Sequence, residues 1–351
     1  MTETTMAREI AEQPDALART IESLRPLRSD LRSLADQRRA VLFVARGSSD
    51  NAAVYGRYLV EVHAGLRGGL SAPSVATHYH ADLDLSDAVV VSVSQSGETG
   101  EIIEAQQWAS EHGARTIAVT NDGDSALAQA ADLAMITQAG RELAVPATKS
   151  YTAQLAAMAV LADALSPKPG SLDADLDRVP GEVQRLIDGR AGVDEAAERL
   201  ASTPDVLVSG RGITFGTALE AALKLEETCL RPVRGLSYAD LRHGPIAVVD
   251  DEHVALLVSA ADGPMVAGLT ELAHDLRRRG AAATVGIGGD STFAAAVDVA
   301  VAGPDLPELV SPLALVVPAQ LTVEALARRL GLNPDAPRGL SKVTQTDTAP
   351  E

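Results

Sequence analysis

Residues 88–99 read Ala-Val-Val-Val-Ser-Val-Ser-Gln-Ser-Gly-Glu-Thr. An apolar run that ends abruptly in turn residues is the pattern of a strand covered on both faces, as in a parallel sheet. The segment that follows, residues 102–108, is amphipathic, so the polar loop Ser94-Gln95-Ser96-Gly97-Glu98-Thr99 falls between a strand and a helix. Unpaired N–H groups and the positive end of the helix dipole make that junction a place for an anion. A small phosphate ester is the expected ligand. The loop has no lysine and no Gly-x-x-x-x-Gly-Lys-Ser/Thr pattern, which disfavours a nucleoside triphosphate. On composition alone, the same hydroxyls read equally well as helix caps and turn formers.

The strand–loop–helix unit occurs twice. With an offset of 165 positions, Val41-Leu-Phe-Val-Ala-Arg-Gly47 aligns with Val206-Leu-Val-Ser-Gly-Arg-Gly212, and Val89-Val-Val-Ser-Val-Ser94 with Val254-Ala-Leu-Leu-Val-Ser259. One residue further on, Asp132-Leu-Ala-Met aligns with Asp298-Val-Ala-Val, and Ala153-Gln-Leu155 with Ala319-Gln-Leu321. Ordered matches at one long period indicate a duplicated domain, not a short-repeat solenoid. Strand-like and helical patterns alternate in the first copy over residues 41–45, 51–64, 88–94, 98–112, 116–120 and 148–165. The second copy has them over 206–209, 216–230, 254–259, 265–279, 282–287 and 313–330. This predicts an α/β fold of two mostly parallel open sheets flanked by helices, flavodoxin-like three-layer sandwiches with ligands at the carboxyl ends of the strands. A single leading helix over about residues 16–35, a helical stretch over 180–200 and an irregular tail from Asn333 complete the expectation.

Composition narrows the function classes. Against 30 basic residues stand 48 acidic ones, a formal charge of −18, and aromatics make up 3% of 351 residues. Nucleic acid is therefore an unexpected partner, lacking both a basic field and a stacking platform. Cys229 is the one cysteine, so no intrachain disulfide forms and no cysteine zinc site is expected. His78-Tyr79-His80 supplies two ligands without a third, and no metal is assigned. The acidic, polar start is unlike a signal peptide, and the apolar stretch 151–165 is too short for a bilayer. The expectation is a cytoplasmic protein with no membrane partner and no cofactor.

Glu220, Lys224 and Glu227 fall at i, i+4 and i+7 on the helix after the strand at 206–209. Such a stripe usually reads as a solvated, salt-bridged face. His243, ahead of Gly244-Pro245, reads equally as a loop cap.

Together, Arg46-Gly-Ser48-Ser49, the loop 94–99, and the tandem arrangement resemble the SIS (sugar isomerase) family. The likeness extends to Glu9-Ile-Ala-Glu-Gln-Pro14, Thr148-Lys-Ser150, Glu220-Ala-Ala-Leu-Lys-Leu225, His243-Gly-Pro245 and Pro337-Arg-Gly-Leu-Ser-Lys342. In this order they resemble the isomerase half of glucosamine-6-phosphate synthases and the stand-alone amino-sugar phosphate deaminases and isomerases. The glutaminase half of the synthases has no counterpart here, and glutamine dependence is not expected. The resemblance implies phosphate and sugar binding by Ser48, Ser49, Ser94, Gln95, Ser96, Thr99 and Ser341. It also implies Glu227 as the base between C1 and C2 of a hexose 6-phosphate, and Lys224 as an amine able to form a Schiff base. In that scheme Glu220 orients the lysine or a substrate group, His243 opens the ring in the partner subunit, and Lys342 closes over the open-chain sugar. A homodimer with shared active sites follows. Nucleophilic use of Lys224 requires a lowered pKa, which a desolvated cleft would supply. Copy two replaces Gln95-Ser96-Gly97 by Ala260-Ala261-Asp262 and is the poorer phosphate cradle.

Domain boundaries expected from these motifs are 1–36 (N-terminal helical segment), 37–168 (first SIS domain), 169–195 (linker and helix), 196–331 (second SIS domain) and 332–351 (tail). The expected activity is isomerisation or deamination of a hexosamine 6-phosphate, of the glucosamine 6-phosphate type. The alternatives are elimination at C2–C3 of an N-acetylhexosamine 6-phosphate, and a phosphosugar sensor without catalysis. Ala147 stands where the synthases have a substrate-contacting serine, next to the stiff Pro146, and Glu226 replaces a lysine. These departures point to a different sugar or a different outcome after enolisation.

Overall fold

The computed structural model describes residues 3–342. Each copy builds a five-stranded, all-parallel sheet. The first contains β1 (Ala40–Val44), β2 (Arg67–Leu70), β3 (Ala88–Val93), β4 (Arg115–Thr120) and β5 (Leu133–Ile136), in the spatial order β2-β1-β3-β4-β5. The second contains β6 (Asp205–Gly210), β7 (Arg234–Ser237), β8 (His253–Ser259), β9 (Ala283–Gly288) and β10 (Val299–Val301), in the order β7-β6-β8-β9-β10. Both are the flavodoxin-like order, whose direction reverses between the first strand and the third. All six residues of β3 are buried, as the apolar run requires of a strand paired on both sides.

Four short strands, β2, β5, β7 and β10, have no clear sequence signature. Arg67-Gly-Gly-Leu70 and Arg234-Gly-Leu-Ser237 are edge strands whose glycines admit a helix at close range. A Cβ at Gly235 would lie 3.0 Å from Leu219 Cδ2 and 3.2 Å from Ala222 Cβ. The aligned Asp132 and Asp298 each lock the last two strands of their sheet. Asp132 Oδ2 accepts from Thr116 N at 2.8 Å, and Asp298 Oδ2 accepts from Thr284 N at 2.8 Å.

The chain divides into two compact units that are not contiguous in sequence. The first-sheet unit comprises Asp15–Glu142, Lys149–Ala174 and residues 341–342; its helix Lys149–Leu165 is buried on nearly every side. The second-sheet unit comprises residues 3–14, Leu143–Thr148 and Asp175–Leu340, with the equally buried helix Pro312–Arg329.

Three helical readings change. The single leading helix is Gln13–Leu24 and Arg28–Leu34, separated by the 3-10 turn Arg25–Leu27 at Pro26, and the separate helix Thr5–Ala11 comes before it. The stretch expected at 180–200 is two helices, Asp173–Gly189 and Val193–Ala201. They break at Gly192 (φ +82°), where a Cβ would stand 2.2 Å from Ala300 O of β10. The tail is irregular as far as Lys342, and Asp335 within it holds the start of the helix Thr5–Ala11, accepting from Thr5 N at 2.9 Å and Met6 N at 2.8 Å. Residues 343–351 of the expected tail lie outside the described residues. Among the described residues no helix is long and apolar enough to cross a membrane.

Candidate functional site

In the first-sheet unit, Ser48 and Ser49 open the helix Ser48–Leu59 after β1, and Ser94–Thr99 follow β3. Because β1 and β3 are paired neighbours, both loops leave the carboxyl edge where the strand order reverses. The serine loop is fastened from behind. Asn121 N donates to Gln95 O at 3.1 Å, Leu127 N to Gly97 O at 3.1 Å, and Ala126 N to the Glu98 carboxylate at 3.0 Å. Ser94 Oγ accepts from Gly97 N at 3.2 Å and lies 3.3 Å from Thr99 Oγ1. Gly97 has φ +67°, and a Cβ there would stand 2.1 Å from Ser125 Oγ, so glycine is required twice over. Thr99 occupies the N-cap of the helix Gly100–Glu111 without a side-chain capping bond. Capping alone therefore does not account for this hydroxyl. Ser49 Oγ accepts from Gln154 Nε2 at 3.0 Å.

The corresponding edge of the second-sheet unit is occupied by acid. A Cβ on Gly263 would fall 2.5 Å from the Glu308 carboxylate, so that carboxylate packs directly over the loop after β8. Burial, reinforced by Asp262, raises the Glu308 pKa. The loss of hydroxyls read from Ala260-Ala261-Asp262 is thus accompanied by a second carboxylate, an arrangement hostile to phosphate.

The helix Phe215–Cys229 carries the charged triplet, and it is not a solvated face. Glu220 and Lys224 are completely buried. Lys224 Nζ lies 3.4 Å from Glu220 Oε1 and donates a hydrogen bond to Glu227 Oε2. The Glu227 side chain remains 26% exposed, so this carboxylate alone of the three groups presents substantial surface. Burial works to lower the Lys224 pKa, but the two carboxylates outweigh it and the pKa is raised. The low-pKa amine expected for Schiff-base chemistry is therefore corrected: Lys224 is held as an ammonium. Cys229, two residues after Glu227, is buried with its thiol pushed up to about 12, and is no nucleophile. Glu226 is exposed; partial burial and then the Glu227 charge raise its pKa.

The triplet also departs from the carboxyl-edge rule. Glu227 lies twelve residues into a helix that starts at that edge, about 18 Å along its axis. Copy one has Tyr55, Leu59 and Val62 at the aligned positions, so the duplication has divided its chemistry, with donors in one copy and charges in the other.

His243 ends the short helix Tyr238–Arg242 and is exposed, its N–H donating to Asp240 O at 3.1 Å; its ring is not part of the Lys224 ion pairs. Ser341 is exposed, and Lys342 Nζ lies 2.6 Å from Glu142 Oε2. Glu142 was not legible as a site residue; it stands in no motif, and the lysine it meets is 200 residues away in sequence. Glu9, from the segment 9–14, acquires a role: its buried carboxylate accepts from Leu143 N and from Ala144 N (3.2 Å). It thereby shapes the loop that carries Pro146 and Ala147.

The SIS domain pattern matches residues 33–164 and 199–327. The chain belongs to the SIS domain family. Among its relatives is the glutamine–fructose-6-phosphate aminotransferase (isomerizing) of Aquifex aeolicus, 32% identical over 97% of this chain and 58% of that protein. The enzyme of the same name from Thermococcus kodakarensis is 34% identical over 96% of this chain and 57% of that protein. The chain thus spans under three fifths of the length of these curated relatives. A candidate phosphosugar isomerase from Silicibacter pomeroyi DSS-3 has a similar structure, with TM-score 0.85 and 31% identity, covering 95% of this chain and 100% of that one. The C-terminal domain of a glucosamine-fructose-6-phosphate aminotransferase from Francisella tularensis shares the fold at TM-score 0.82 and 24% identity, over 96% of this chain and 99% of that one.

Proposed function

We propose that this SIS protein processes a hexosamine 6-phosphate, interconverting aldose and ketose forms or releasing ammonia by enolisation at C1/C2. The observation that carries the reading is the ion-paired triplet: a buried ammonium holding a partly exposed carboxylate. Enolisation needs a base held beside a C–H bond, and Glu227 is oriented by Lys224, which is itself braced by Glu220. The kinship with aminotransferases that act on fructose 6-phosphate supports a phosphosugar as the substrate.

In this reading Ser94, Gln95, Ser96 and Thr99, with Ser48 and Ser49, hold the phosphate. Ser341 and Lys342 contact the open-chain sugar. His243 opens the ring; its exposure suits service to a second copy of the chain, in a homodimer with shared sites.

The test is a panel of hexosamine, N-acetylhexosamine and ketose 6-phosphates followed by NMR in deuterated buffer. Deuterium incorporation at C2 with ammonia release or ketose formation is expected. A new ultraviolet-absorbing enone from the N-acetylated sugar would mean elimination instead. Ligand-induced thermal stabilisation without turnover would mean a sensor. The phosphate role has its own test. Ser96→Ala combined with Thr99→Ala is expected to raise KM for glucosamine 6-phosphate about 100-fold, as loss of two hydrogen bonds to a charged group implies, with kcat nearly unchanged. An unaltered KM would remove the loop from the phosphate.

A further inference from the structure

Glu142 belongs to no motif, yet its side chain is fully buried and its carboxylate meets both Ser150 and Lys342. Ser150 N donates to Oε1 at 3.1 Å, Ser150 Oγ donates to Oε2 at 2.6 Å, and Lys342 Nζ reaches Oε2 at 2.6 Å. Ser150 is in the first turn of the helix Lys149–Leu165, so the carboxylate caps a helix N-terminus from a distance. A carboxylate there is favoured by the dipole and by the unpaired N–H groups. The two Ser150 contacts come from the first turn of that helix. Lys342, by contrast, is the end of the described chain, 200 residues away in sequence, with its side chain 24% exposed.

This asymmetry separates a receptor from its ligand. The helix turn pre-organises Glu142, and the tail ammonium docks on it. We propose that Glu142 is a positioning residue that fixes the C-terminal lysine, setting where Lys342 is presented to the sugar. The proposal rests on the reading of Lys342 as a group that contacts open-chain substrate, and it adds what holds that lysine. Glu142 itself touches no substrate in this scheme. It acts through Lys342, and through Ser150 it ties the Thr148-Lys-Ser150 motif to the Ser341-Lys342 ending. Displacement of a catalytic group by about 1 Å is enough to cost about 100-fold in rate.

Two measurements on the full chain test it. Without substrate, hydrogen exchange over residues 337–342 is compared between wild type and Glu142→Gln. Exchange at least about tenfold faster in the variant is expected, because the amide keeps its place at Ser150 and loses the charge that holds the tail. Unchanged exchange would overturn the docking. With whichever phosphosugar the wild type turns over, Glu142→Gln is expected to lower kcat roughly 10- to 100-fold with KM changed less. Lys342→Met should do the same, and the double variant should be no slower than the worse single one. Multiplying defects would mean that Glu142 does not act through Lys342. Glu142→Asp, which keeps the charge, should recover part of the lost rate, and a purely structural defect would not be rescued in this way. If Glu142→Gln does not fold, Lys342→Met alone must accelerate exchange of the tail, or the docking is wrong. Absence of turnover by the wild type would sink the functional reading, while the exchange comparison would still decide the docking.

Discussion

In Glu227→Gln, exchange of the substrate C2 proton with solvent deuterium is expected to fall about 1,000-fold, within the usual range for loss of a general base. Binding should survive, because the phosphate contacts assigned to the serine loop come from other residues. The protein should also stay folded: Lys224 keeps Glu220 as a partner at 3.4 Å, and the substituted side chain is partly exposed. The measurement is NMR of glucosamine 6-phosphate in deuterated buffer, with binding followed by calorimetry. Wild-type exchange in the variant would remove Glu227 from the chemistry. Loss of binding together with exchange would show that its role is to hold the substrate, not to move its proton.

Lys224→Met should cost more in stability than in any single contact. The substitution preserves much of the volume but leaves Glu220, fully buried, without its ammonium. Breaking one partner of a buried pair is worth about 3–5 kcal/mol, most of it the cost of an uncompensated charge. Urea unfolding should show this loss, and adding Glu220→Gln should restore part of it, since a neutral amide is far cheaper to bury. A loss below about 1 kcal/mol would mean that the pair is solvated. The pH dependence has a definite sign. Burial opposes the charge, the carboxylates favour it more, and the folded pKa lies above the ordinary 10.5. The contribution of this group to stability is therefore complete below about pH 10.5 and disappears as pH rises through the folded value. Wild type should lose that contribution in alkali, and Lys224→Met should lack that transition.

The architecture was largely legible in the chain. β3 announces itself because a strand covered on both faces must be apolar throughout, and the aligned runs at β1 and β6 repeat the same demand. Edge strands obey no such constraint. Arg67-Gly-Gly-Leu70 has one neighbour in the sheet and a helix close above it, so its residues answer to that helix instead of to a strand pattern. The serine loop was legible for a local reason too: its hydroxyls and Gly97 are consecutive, and a turn of this kind is specified by adjacent residues.

The charged helix shows where local reading stops. The spacing of Glu220, Lys224 and Glu227 placed them on one face but did not say whether that face meets water or core. The structure buries two of the three and turns the expected nucleophilic amine into a clamped cation. Glu9 and Glu142 are the stronger cases, because Glu9 is bonded 134 or more residues away and the lysine on Glu142 comes from 200 residues away. By itself, the sequence determined two copies of a parallel α/β unit, the hydroxyl-rich loop between a strand and a helix, and the face shared by three charges, all consequences of spacing along the chain. Only the tertiary structure decided which charges are buried, which carboxylate stays open, and which acid receives the tail lysine. Desolvation and long-range pairing are set by what surrounds a side chain, and no local pattern encodes its surroundings.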